Sequence, residues 1–290
     1  MGTPLCAWRM LTFDGVPMMT GTISDHVDYV SGKTRLFVIV GDPIEQVRSP
    51  EMITAEMVGR GLDAVLVPIH VLPHEFDACL PQLLRVRNLG GLVFTIPYKA
   101  RACALADDLL AQARVVGAIN VLGRGHDGRW RGEIFDGLGC VTALRRRGVE
   151  LAGRRVLLIG AGGAGSAIAV AIGFERPASL RIHDIDADRA RALAAKVARA
   201  HPGVDVTAGA PAIDGVDVLI NASPVGMLAD ARLPLDVASL PPGLVVLDAV
   251  VKPERTPLIA LAERCGCTTV YGREMMRGQI SQMVDFFVSA

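Results

Sequence analysis

The stretch that most constrains the fold is Val156 to Phe174, VLLIGAGGAGSAIAVAIGF. It carries no charge and reaches the length, about 18 apolar residues, at which a run can cross a membrane. Four glycines within Gly160–Gly165 break it, so it reads as a buried strand, a tight turn and a buried helix. Gly160, Gly162 and Gly165 satisfy the GxGxxG pattern. The first permits the turn, the second lets the backbone approach a pyrophosphate, and the third lets helix and strand pack closely. Gly160, Gly162, Gly163, Ala164 and Gly165 are therefore the expected cradle, with the pyrophosphate at the helix N-terminus, where open N–H groups and the dipole favour an anion. Asp184 follows Gly165 by 19 positions, at the end of LRIHD. A carboxylate there accepts hydrogen bonds from the adenine ribose and repels a 2′-phosphate, which favours NAD. Asp184 or Asp186 could instead cap the next helix, and Arg181, Arg189 and Arg191 lie near enough to leave NADP open.

This unit opens a strand–helix alternation from Leu151: SLRIHDI, a helix over 186–200, then VDVLINA and LVVLDAV. An earlier alternation precedes it. RLFVIV (35–40), AVLVPIHV (64–71) and GLVFTIP (91–97) read as strands, 49–60 and 73–87 as helices, and VVGAINVL and RWRGEIFD as a closing strand pair. Two such series in 290 residues predict an α/β protein with mostly parallel sheets: a substrate domain over 35–136, a Rossmann-type domain over 137–272, and a helix over 273–290 packing back on the first. Residues 1–34 lack a secretory h-region and read as a flexible lead-in. Zero formal net charge and 4% aromatic content argue against a nucleic-acid partner. Six scattered cysteines form no CxxC, which suggests neither metal nor disulfides and fits a cytoplasmic chain without a membrane span, monomeric or homodimeric.

Only four of the thirty basic residues are lysines. A proton-transfer role needs an ammonium, which arginine cannot supply. Lys99, in TIPYKA, is expected in the first turn of a helix opened by Pro97. Asp136 ends GEIFD and begins GLGCVTAL, where a helix cap is its ordinary role. It could equally orient a lysine opposite. Alone, each residue is unremarkable in such a place.

Together with GDPIEQVRSP, GLVFTIPYK, GAINV, GEIFDGLG, GAGGAG, NASPVGM, DAVVKP and GREMMRGQ, in that order, the chain resembles the shikimate/quinate dehydrogenase family over about residues 35–290. The resemblance implies an NAD-dependent oxidoreductase interconverting a cyclic hydroxy acid and its 3-keto form, in a cleft between two domains. It implies Lys99 and Asp136 as catalytic pair and Ser49, Thr95, Asn120 and Gln279 at the substrate. Asn221, Val250 and Met275 are implied to line the nicotinamide pocket. His183-Asp184-Ile185 stands where the NADP enzymes of the family carry an Asn-Arg-Thr segment. The chain also departs from the pattern. Val47 replaces one of two serines that hold the substrate carboxylate, Val93 an asparagine, Phe135 a threonine and Val251 a tyrosine. The expectation is altered substrate selection, with Val47 facing the ligand. A non-catalytic NAD-binding sensor with the same fold is the alternative, and a methylenetetrahydrofolate dehydrogenase fits the substrate-side motifs poorly.

Overall fold

The computed structural model describes residues 30–289 and, ahead of them, the strands β1 (Leu11–Phe13) and β2 (Val16–Met18). These two pair antiparallel, which the expectation of a flexible lead-in over 1–34 did not foresee. For the other residues before Val30 that expectation lies outside the described residues.

The first sheet contains β3 (Arg35–Gly41), β4 (Ala64–His70), β5 (Leu89–Phe94), β6 (Asp108–Leu109), β7 (Val121–Arg124) and β8 (Trp130–Glu133). Its order is β4-β3-β5-β7-β8-β6. β4, β3 and β5 run parallel, while β7 is antiparallel to both of its neighbours. Phe37 to Val40 are buried without alternation, as expected of a parallel strand covered on both faces. Around this sheet stand α1 (Ser49–Gly59), α2 (Phe76–Leu83), α3 (Ala111–Val116) and α4 (Asp136–Arg146).

The second sheet holds β9 (Arg155–Ile159), β10 (Ser179–His183), β11 (Asp205–Ala208), β12 (Val218–Asn221), β13 (Val245–Asp248) and β14 (Thr268–Val270). Its order, β11-β10-β9-β12-β13-β14, is parallel throughout. Strand order reverses between β9 and β12, the point at which open parallel sheets take ligands beyond the carboxyl ends of their strands. α5 (Gly163–Phe174), α6 (Ala187–Ala200), α7 (Pro257–Arg264) and α8 (Gly272–Ser289) complete the chain. Asp186 caps α6, its carboxylate accepting from Asp188 N and Arg189 N at 3.1 Å each, which leaves Asp184 for another role.

α4 and α8 tie the two sheets together. A Cβ at Gly278 would lie 2.7 Å from the Gly139 carbonyl oxygen, so these helices meet backbone to backbone. α4 also lies on α5, where a Cβ at Gly137 would overlap the Ala167 carbonyl. α8 returns to the first sheet, as its apolar face predicts. The Phe287 ring sits 4.9 Å from Phe37, and Ile280, Met283 and Val284 share a core cluster with Val93 and Val121.

Several boundaries differ from expectation. α2 begins at Phe76 rather than Pro73, after a turn. Val115 and Val116 are helical, not strand. Ala113 and Val116 are buried in α3, and Gly117, at φ 74°, ends it; burial here overrides the β preference of the valines. The expected helix after Pro97 is a turn followed by a short 3-10 helix, Arg101–Leu105. β11, α7 and β14 escaped the sequence reading.

Candidate active site

Lys99 and Asp136 come from different parts of the chain and meet, with Nζ 2.5 Å from Oδ2. Their side chains are 15% and 8% exposed, so the pair is mostly out of water yet open on one side. The turn that carries Lys99 is held on both flanks. The Tyr98 ring stacks on Phe76 at 4.7 Å and its hydroxyl donates to the Val71 carbonyl. Burial, with the Asp42 charge adding to it, pushes the Tyr98 phenol above its ordinary range and keeps it a donor. On the other side the Lys99 carbonyl accepts from Ile119 N at 2.8 Å. Asp136 is the first residue of α4. Phe135 stands at the cap position, so the capping role is not the one Asp136 fills.

Asn120 fixes the approach to Asp136. Its Oδ1 accepts from Phe135 N at 3.0 Å, and its Nδ2 donates to Gln279 Oε1 on α8 at 2.9 Å. Both side chains are buried, and each amide nitrogen keeps donor capacity for a ligand. Thr95 lies at the end of β5, its backbone N donating to Val40 O at 3.0 Å. Ser49, at the start of α1, points its hydroxyl toward Met276 Sδ at 3.8 Å. Lys99, Asp136, Asn120 and Gln279 thus form one connected polar edge, and Ser49 reaches α8 separately.

The other edge is apolar. Val47 and Phe135 pack on the cluster that contains Val93, Ile280 and Phe286, with Phe135 meeting Phe286 edge-on at 5.9 Å. Three of the four departures therefore meet in one apolar cluster. Val251 stands apart from that cluster, partly exposed beyond β13. Arg48, next to Val47, pairs with Glu51 at 3.6 Å, its side chain 56% exposed.

The glycine turn lies against this pair. A Cβ at Gly163 would be 3.3 Å from Lys99 Cβ. Gly160 has φ 102°, in the region only glycine enters freely, and a Cβ on Gly165 would overlap its carbonyl oxygen. Gly162 faces open space. Close packing at the first and third glycines with room before the second is the shape a pyrophosphate requires, so a dinucleotide fits. Ala164 follows in the first turn of α5, whose orphan amides are the anion donors.

Asp184 is more occupied than the sequence suggests. Its carboxylate accepts from Ala161 N at 2.7 Å and Asp186 N at 2.9 Å, with Arg189 Nη1 at 3.8 Å. It braces the glycine turn from beneath. Asn221 differs further from a pocket-lining side chain. It is fully buried and donates to Asp248 Oδ1 at 3.0 Å and Val225 O at 3.2 Å, while accepting from the Ser223 N and hydroxyl. With both donors and its oxygen engaged, its side chain shapes the loop beside Ile159. Val250 and Met275 are 6% and 5% exposed and sit where α8 leaves the second sheet, a Cβ at Gly272 overlapping the Val250 carbonyl.

Asp248, also quoted in the sequence motifs, was given no role there. Desolvation raises its carboxyl above the ordinary range, opposed by bonds from Thr256, Val250 N and Asn221. It anchors the loops that follow β12 and β13. Tyr98 was likewise missed; its only signal was an aromatic one residue before Lys99.

Residues 39–122 match the shikimate dehydrogenase substrate binding domain. The NADP(+)-dependent shikimate dehydrogenase of Rubrobacter xylanophilus is 37% identical over 254 residues, 86% of this chain and 89% of that one. Shikimate 5-dehydrogenase from Listeria monocytogenes, solved with shikimate and NAD, is 28% identical with a TM-score of 0.79, over 90% of this chain and 94% of that one. The 5-ketofructose reductase of Gluconobacter sp. strain CHM43 is 26% identical with a TM-score of 0.77, over 90% and 95%.

Proposed function

The chain belongs to the shikimate/quinate dehydrogenase family, and from that premise we propose that it interconverts a shikimate- or quinate-like hydroxy acid and its 3-keto form with NAD. That it is an oxidoreductase acting on CH–OH with a nicotinamide dinucleotide follows from the family; the finer terms are our reading. The observation that carries it is the contact of Lys99 Nζ with Asp136 Oδ2 at 2.5 Å, beside the glycine turn.

A bound nicotinamide would supply the hydride acceptor or donor. The residues supply the rest. As the alcohol carbon loses its hydride, its hydroxyl proton passes to Lys99 Nζ; in the reverse direction the same nitrogen protonates the forming alkoxide. Asp136 Oδ2 holds that ammonium in place and stabilises its charge, while Asn120 and Gln279 hold ring hydroxyls. Positioned proton transfer of this kind is worth about 10²–10⁴-fold in rate. Ser49 and Thr95 complete the polar contacts to substrate. We assign residues 35–136, with 273–290, to the substrate side and 137–272 to the cofactor side.

NAD is favoured over NADP because a carboxylate, Asp184, directly follows β10, the position at which a 2′-phosphate is repelled, and the next residue, Ile185, is 98% exposed and uncharged. The NADP(+) named for the Rubrobacter relative is the competing possibility, and Arg189 is the group that would serve it. On the substrate side, the apolar cluster of Val47 and Phe135 supports a ligand with a less polar edge than shikimate; the Gluconobacter relative is named for a substrate without a carboxylate. A panel of shikimate, quinate and related ring alcohols, each with NAD⁺ and NADP⁺, tests the reading. Cofactor reduction by at least one ring hydroxy acid, faster with NAD⁺, is expected. Cofactor binding without turnover on any of them would establish the sensor instead.

A further inference from the structure

At the other end of β5 from Lys99, strand register gathers three arginines. Arg35 opens β3, Arg87 precedes β5, and Arg124 closes β7. β3 and β5 run parallel with Leu36 opposite Leu89, and β7 runs antiparallel to β5 with Gly123 opposite Gly91. All three therefore fall at one end of three adjacent strands. They line a cleft of about 380 Å³, with His126 and the α8 residues Phe287 and Val288.

Among the described residues, no carboxylate lines this cleft. Arg60, Arg101 and Arg155 each close on an acidic partner, whereas Arg35, Arg87 and Arg124 have no ion pair among the described residues. Neutral groups hold two of them. Arg124 donates to the Val86 carbonyl at 3.2 Å and lies 5.6 Å from the Trp130 ring centroid; Arg35 lies 5.4 Å from that of Phe37. These contacts hold two of the three guanidinium groups without supplying a formal counter-charge. The adjacent C-terminal end of α8 adds a partial negative charge. Three like charges collected in one concavity repel one another, and an anion between them removes that repulsion.

We propose that this cleft is a binding site for a small, multiply charged anion bearing two or more phosphate or carboxylate groups. Guanidinium forks suit both, since each presents paired donors to paired oxygens. The site is separate from the glycine turn and does not depend on the reaction assigned above.

Calorimetric titration of the full chain with inorganic pyrophosphate and with citrate, at ionic strength matched by sodium chloride, tests it. Saturable binding of either anion is expected, and the stronger of the two tells a phosphorylated ligand from a polycarboxylate. The R87Q/R124Q variant should bind about tenfold or more weakly, as loss of charge-assisted bonds implies. Should Arg124 prove necessary for folding, R35Q/R87Q alters two exposed side chains and should lose binding with dehydrogenase turnover unchanged. Heat signals no larger than with chloride would overturn the proposal and leave the arginines as partners of the α8 terminus. Undiminished binding in the variants would overturn it too, placing the anion at the glycine turn.

Discussion

Lys99 and Asp136 show how a site can be invisible one residue at a time and plain as a set. A lysine after Ile-Pro and an aspartate at a helix start are ordinary. Only the order of the surrounding motifs marks them, and the structure then joins them at 2.5 Å. The helix expected to present Lys99 does not form; a buried tyrosine and one backbone bond from Ile119 do that work instead. Val47 was legible as a departure, but its place in one cluster with Phe135 and Val93 depends on contacts across α8 that no local pattern encodes. Restoring a donor there, V47S, should raise kcat/KM for shikimate about tenfold or more, since a hydrogen bond to a charged group contributes about 1.5–3 kcal/mol. Unchanged efficiency would remove Val47 from substrate selection. Asp184 gives a second test. D184N keeps an acceptor for Ala161 N but removes the charge, so the ratio of kcat/KM for NAD⁺ over NADP⁺ should fall by about tenfold, roughly 1.4 kcal/mol of repulsion and lost hydrogen bonding. A ratio that does not move would assign Asp184 to bracing the turn alone.

At the level of elements, long buried strands such as β3 and β9 were readable from unbroken apolar runs, and α5 from its glycines. Shorter pieces were not. β11 and β14 are four and three residues long and partly exposed, too short for a period to register. α3 reads locally as strand because its valines are branched, and only burial against the sheet decides otherwise. The α4–α8 contact depends on Gly139 and Gly278, whose spacing carries no signal until the helices are seen to cross. G278A should cost about 1–3 kcal/mol through overpacking and raise KM by shifting Gln279, read by denaturant midpoint and steady-state kinetics. Beside the ladder between β9 and β12, Arg155 and Asp217, which precedes β12, form an ion pair. Arg155 holds the Asp217 carboxyl down to about 2, through its guanidinium and its backbone N–H. A depressed carboxyl contributes stability that is present above its unfolded value and lost as pH falls through the folded one. The stability difference between wild type and D217N should therefore be full at pH 5 and above and shrink from about 4 toward 2. A difference independent of pH over that window would assign the residue's effect to packing.

For the molecule as a whole, two sheets of six strands, joined through α4 and α8, set a lysine from the first against a glycine turn from the second. Among the described residues no helix is long and apolar enough to cross a membrane, so the uncharged stretch at Val156 is a strand, turn and helix, as its glycines require. What that arrangement is for is decided by whether the Lys99–Asp136 pair carries the proton of the alcohol. Single-turnover reduction of NAD⁺ by the best ring alcohol of the panel, compared between wild type and K99A with cofactor affinity measured in parallel, tests this most directly. The account predicts a rate at least about 10²-fold lower, with cofactor affinity within twofold of wild type. Hydride transfer at close to the wild-type rate in K99A would contradict it.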